Sequence, residues 1–221
     1  MSLKILFFDE LRGFYKSKIM IILWVGLPIL SVIFNLVRFD TEGVPLSYFV
    51  GLFIASIGGT LSSVMLSTSI TSEINRQVFN LFLIRPVKRE SLLIAKYLAV
   101  FSCLVIATLI TLIVGVIIDW ITTGIPQGIV IIQSLESLCF SLAAMSISCS
   151  VGIIIGISVK NVAASAILSV YVGNQFSLIS ILPSVFLPEI LNPLIFSGCL
   201  GILLTALLIG IGIIIFKSKE L

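Results

Sequence analysis

The residues able to do chemistry crowd into one stretch of this chain. It reads SEINRQVFNLFLIRPVKRESLLIAK from Ser72 to Lys96 and holds Glu73, Arg76, Arg85, Lys88, Arg89, Glu90 and Lys96. Elsewhere Glu136 and the pair Asn174 and Gln175 fall inside apolar runs, where a strongly polar side chain is costly and so a candidate for function. Neither group has the makings of a catalytic centre. Histidine is absent, which removes the usual general base at neutral pH, the Ser-His nucleophile and the HExxH zinc motif. No loop carries paired aspartates at active-site spacing, and the phosphate-cradling pattern GxxxxGK[ST] is missing, so ATP cannot be bound here by that route. Cys103, Cys139, Cys149 and Cys199 lie apart in apolar runs and read as small packing residues rather than metal ligands or disulfides. The expectation is a chain with no catalytic residue, no metal and no cofactor of its own.

The elements that must position these residues follow from composition. Of the 221 residues 59% are hydrophobic and only 10% charged, and the mean hydropathy is +1.28. A soluble domain is about 25% charged, and this chain lacks the polar surface to cover such a core. The class is therefore an all-α polytopic membrane protein. A net charge of +3 is too small to suggest nucleic acid. Crossing the hydrocarbon takes about 20 apolar residues, and six stretches qualify: 19–37, 46–69, 91–118, 128–159, 162–182 and 194–216. The first apolar run starts only after Lys18 and lacks a small-residue cleavage site, so it is expected to stay in the mature protein as part of a single transmembrane domain over 1–221.

Basic residues orient the spans. Lys4, Arg12, Lys16 and Lys18 precede the first; Arg76, Arg85, Lys88, Arg89 and Lys96 separate the second and third; Lys160 marks the next turn on that side, and Lys217 and Lys219 follow the sixth. Arg38 alone falls on the opposite side, with Asp40, Glu42, Asp119 and Glu189. This asymmetry predicts cytoplasmic termini in a cell-membrane protein. Residues 2–17, with Leu3, Phe7, Leu11 and Phe14 at helical spacing, predict a helix lying in the inner interface.

Small residues recur every fourth position: Gly51, Ala55, Gly59, Ser63 and Ser67 in the second span, Ala144, Ser148, Gly152 and Gly156 in the fourth, Ser165, Ser169 and Gly173 in the fifth. Such faces let backbones approach, within one bundle or in a dimer. Glu136 shares a helical face with Gln133 near the outer end of the fourth run, either in the outer interface or on a substrate path. Asn174 and Gln175 precede a break at Pro183, Pro188 and Pro193, where SVFLPEILNP forms either a plain turn or an outward gate.

Within the polar stretch, Ile74, Val78, Leu81 and Phe82 share one face of a helix expected over 73–84. Thr71 or Ser72 can cap its start, Glu73 suits the positive end of its dipole, and Pro86 ends it; Ser91 can cap the helix that follows. The run from Glu73 to Lys96 resembles the loop between the second and third spans of type 2 permeases of ATP-binding-cassette exporters. There a glutamate opens a short helix ending in leucines, followed by Arg-Pro-Val and a basic pair. The matching residues are Glu73, Leu81, Phe82, Leu83, Arg85, Pro86, Val87, Arg89 and Lys96, while the family's usual Gly-Thr in mid-helix is Gln77-Val78 here.

The resemblance implies a permease that dimerises, with itself or a related chain, and docks through this coupling helix onto two ATPase subunits, which carry ATP and Mg. It implies polar contacts to the ATPase from Glu73 and Arg76, an anchor at Phe79, a further contact at Pro86, and pairing or headgroup roles for Arg85 and Arg89. The turn at Lys160 and Asn161 is a second surface for the same partner. Basic residues serving only topology and anionic lipid are the plainer alternative for this loop. Two other functions stay open: a six-span binding subunit of an uptake transporter, and an integral-membrane lipid enzyme.

Overall fold

The computed structural model describes residues 3–16, 18–36, 46–76, 89–123, 128–179 and 193–218. Among the described residues the chain is all-α, in seven helices: α1 (Leu3–Tyr15), α2 (Lys18–Leu36), α3 (Leu46–Asn75), α4 (Arg89–Thr123), α5 (Gly128–Ser158), α6 (Val162–Ile179) and α7 (Pro193–Ser218). Five of them, α3 to α7, are long and apolar enough to cross a membrane, and α2 adds a shorter apolar stretch, Leu23–Phe34. The apolar runs become helices because a helix satisfies its backbone polar groups within itself, which hydrocarbon demands.

Two helices depart from the expected boundaries in a way that matters. α3 does not stop near Ser69 but runs on to Asn75, so no new helix is capped at Thr71 or Ser72, and Glu73 lies in the last turn of α3 rather than the first turn of another helix. Thr71 directs its hydroxyl to the Gly156 carbonyl and to Ser165 Oγ, both at 3.0 Å, and these partners replace the capping role. α4 likewise begins at Arg89, which puts Ser91 inside the helix instead of at its cap. The rest of the helix expected over 73–84, from residue 77 on, lies outside the described residues.

α5 is the central rod, with α3, α6 and α7 packed around it and α4 closing another side. α1 lies against α4, and α2 bridges α4 and α3. On α1 the apolar positions do the packing: Leu6 is buried, and Phe7, Leu11 and Phe14 rest on the core. Trp24 of α2 donates its indole N–H to the Cys103 carbonyl of α4 at 3.1 Å.

The small-residue stripes meet one another inside this one chain. A Cβ on Gly152 would stand 2.6 Å from the Ser63 carbonyl oxygen, and one on Gly156 2.9 Å from that of Ser67, so α3 and α5 touch backbone to backbone. The buried face of α6 is Ser165, Ser169, Gly173 and Ser177. Most buried serines donate back to a carbonyl three or four residues earlier, as Ser62 does to Gly59 and Ser150 to Ile147. That bond spares the hydroxyl an unpaired existence in hydrocarbon and leaves packing to hold the helices.

Hydrogen bonds between helices fix which ends coincide. At one end the Asn75 amide donates to the Lys160 carbonyl at 2.7 Å, joining α3 to the α5–α6 turn, and Lys217 of α7 pairs with Glu90 of α4. This end, which also carries α1, is called the basic end below. At the opposite end Asp119 of α4 accepts the Ser47 backbone N–H at 3.0 Å, capping α3 from a neighbouring helix, and Ser47 Oγ meets Ser134 Oγ of α5 at 2.8 Å.

Candidate functional site

The polar stretch leaves and re-enters the described structure at the basic end, where its two flanks converge on Lys96. α4 carries Lys96 two turns into the helix, and its side chain is 1% exposed. An ammonium cannot stay charged at such depth without partners. Lys96 has two: its Nζ lies 2.9 and 3.0 Å from the two carboxylate oxygens of Glu10 on α1 and 2.5 Å from Glu73 Oε1 at the end of α3. The Phe14 ring of α1 lies 5.9 Å from the same nitrogen, within range of a cation–π contact. Ser69 adds a weak 3.4 Å hydrogen bond to Glu73 Oε1, while Glu73 Oε2 is buried without a hydrogen-bond partner.

Chemically this cluster is a clamp. One cation joins three helices, and two of them, α3 and α4, are the flanks of residues 77–88. Nothing in it forms a nucleophile, and among the described residues no three His, Cys, Asp or Glu converge to hold a metal.

The residues singled out by sequence distribute as follows. Glu73 is turned into the clamp, so its acidic side chain is engaged within the chain. Arg76 follows α3 in an exposed turn, its N–H bonded to the Ser72 carbonyl at 3.0 Å. Phe79, Arg85 and Pro86 lie outside the described residues, as does the Arg89 side chain. Lys160 and Asn161 form the exposed α5–α6 turn beside Asn75; Asn161 Oδ1 accepts the Ala163 N–H at 2.9 Å, which makes it the cap of α6.

Glu136, Asn174 and Gln175 are not brought to one place. Glu136 is half-buried on α5 near Tyr48 of α3. Asn174 turns towards α3, where Ser56 Oγ lies 3.4 Å from its Oδ1, while Gln175, one residue on, is exposed on the outer face of α6. Openings among the described residues include a cavity of about 10 Å³ ringed by Ser47, Thr108, Ser137 and Ser141, and a groove of about 460 Å³ between α4, α5 and α7. None of the three residues lines either one.

The sequence pattern assigns no structural role to Glu10, and it marks Asp119 only by its side of the membrane and Lys96 only by its side and by the family pattern. A signal for Lys96 was present: a lysine in LLIAKYLAV, within a helix otherwise apolar, requires a buried anion. Which anion it takes was not encoded locally, since Glu73 and Glu10 stand 23 and 86 residues away.

Five long apolar helices closed around small-residue seams make this a multi-pass membrane protein. Residues 14–180 match the family described as ABC-2 family transporter protein, and the chain belongs to that family. It is thus the membrane-spanning component of an ABC-type transporter. No curated protein gives a match.

Proposed function

We propose that this chain is the permease subunit of an exporter in the cell membrane, driven by ATP hydrolysed on separate ATPase subunits that dock at the basic end. The observation that supports the reading is the clamp. Both flanks of residues 77–88 are tied by Lys96 to each other and to α1, so a push delivered to that segment reaches α3 and α4 together. A coupling element must be joined rigidly to the spans it moves, and a buried three-helix ion cluster supplies that rigidity. ATP and Mg belong to the partner in this reading, and the basic end faces the cytoplasm with both termini.

The docking surface consists of residues 77–88 with the exposed neighbours Arg76, Lys160 and Asn161. Glu73 then acts from behind, positioning the segment through Lys96. A second permease copy fits the outer face of α6, where Tyr171 is 73% exposed and Gln175 is exposed beside it. An amide and a phenol facing hydrocarbon leave polar groups unsatisfied unless another chain covers them.

The test is co-purification of the tagged chain with an ABC ATPase, identified by the GxxxxGK[ST] pattern and sought first in the neighbouring reading frame. Arg76→Glu combined with Lys160→Glu reverses two exposed charges without touching the clamp and is expected to release the ATPase from a folded permease. Full retention of the ATPase would overturn the assignment of this surface. Direction is read separately: an exporter loads inside-out vesicles in an ATP-dependent way, and loading of right-side-out vesicles instead would mark an importer.

A further inference from the structure

α7 leans on α5 and barely meets α4. Gly201 presses on Ala143, with a built Cβ only 2.9 Å from the Ala143 methyl, and Thr205 Oγ1 reaches Ser146 Oγ at 3.1 Å. With α4, by contrast, α7 meets mainly at two points, the Lys217–Glu90 ion pair at the basic end and the Tyr97 hydroxyl beside Thr205. Around the Tyr97–Thr205 contact the two helices part and leave the groove of about 460 Å³, walled by Tyr97 and Phe101 of α4, Leu142 and Ala143 of α5, and Ile202 and Ala206 of α7.

We infer that this groove is a binding site for one acyl chain of a phospholipid from the leaflet at the basic end. Three observations carry it. First, its walls are apolar and belong to helices of membrane-spanning length, so hydrocarbon rather than water is available to fill it. Second, the volume is some three times the ~150 Å³ that accepts one benzene, which corresponds to on the order of eighteen carbons, room for one long chain. Third, one end is marked by charge. Lys217 lies eight residues beyond Ile209, the last groove residue of α7, or about 12 Å along the helix. The exposed Lys217–Glu90 pair belongs at headgroup depth, where it offers both signs of charge to a phospholipid whose tail lies in the groove. The chain acts as a wedge, adding apolar contacts on the α4 side of α7, where protein meets it mainly at Lys217 and Thr205.

The test is photolabelling of the full chain, reconstituted in phospholipid vesicles containing a small fraction of phosphatidylethanolamine with a diazirine on one acyl chain. Adducts are expected on Phe101, Leu142 and Ile202 in excess over the lipid-facing residues Ile29 and Ile113. They are expected to disappear in Ala206→Phe, and in Gly198→Phe, whose added side chain starts into open space. Ile113→Phe, on a face of α4 away from the groove, is the control and keeps the adducts. The filled variants are also expected to lose the rise in thermal stability that added phospholipid gives the parent chain. Equal labelling of groove and other lipid-facing residues, or adducts undiminished in both filled variants, would overturn the proposal. Absence of lipid adducts from the groove would do the same and would indicate that a protein segment covers it.

Discussion

Replacing Lys96 by Met keeps most of the stem volume of the side chain and removes only the charge. The two carboxylates it joins are 19% and 22% exposed, so they would face each other across an apolar gap with little water to screen them. Removing one partner of a buried ion pair costs about 3–5 kcal/mol, and the residual exposure here points to the low end, about 3 kcal/mol. At about 2–4 °C per kcal/mol for a chain of this size, Lys96→Met should melt about 6–12 °C below the parent. Buried Cys103 and Cys149 make the assay direct, since a thiol-reactive dye reports their exposure on heating in detergent, over a baseline from exposed Cys199. Adding Glu73→Gln and Glu10→Gln to Lys96→Met removes the stranded anions and should recover most of the loss, because neutral groups of similar shape need no counter-ion. A fall of less than about 1 kcal/mol in Lys96→Met, the size of an exposed pair, would refute the account. So would a triple variant less stable than the single one.

Gly152→Ala places a methyl 2.6 Å from the Ser63 carbonyl oxygen, where ordinary contact begins near 3.4 Å, so α3 and α5 must part by about 0.8 Å (3.4 − 2.6). The expected cost is about 1–3 kcal/mol, read in the same thiol assay; Gly210→Ala, which meets nothing within 4 Å, should cost nothing. Asp119→Ala strips α3 of its cap and should cost about 1 kcal/mol, with faster amide exchange at Ser47. An unchanged exchange rate there would show that the cap is dispensable.

The all-α, multi-pass character was legible in residue order alone, and so were the small-residue faces, whereas the separate helix expected to start at Glu73 does not start there, since α3 runs on to Asn75. Apolar runs such as 128–159 and 194–216 show their length directly, because a helix makes its backbone hydrogen bonds locally. The four-residue spacing of Gly152 and Gly156 with Ser63 and Ser67 shows which faces approach, because only small side chains permit contact between backbones. Thr71, Ser72 and Glu73 mark where that reasoning stops. By local propensity they start a helix, yet α3 passes straight through them, since Gly156 and Ser165 supply Thr71 with partners and Lys96 supplies one to Glu73. Local preference is worth about 1 kcal/mol at a cap, and several buried contacts outweigh it.

The sequence by itself thus determined an all-α membrane protein, its long apolar helices, their small-residue faces and a resemblance that the family match upheld. The tertiary structure alone decided that Glu10, Glu73 and Lys96 form one cluster, that Asp119 caps α3, and that α4 and α7 part to leave a groove. The physical reason is the same in each case. Such pairings depend on the offset and tilt of one helix against another, and a repeat of three or four residues along a single helix carries no information about either.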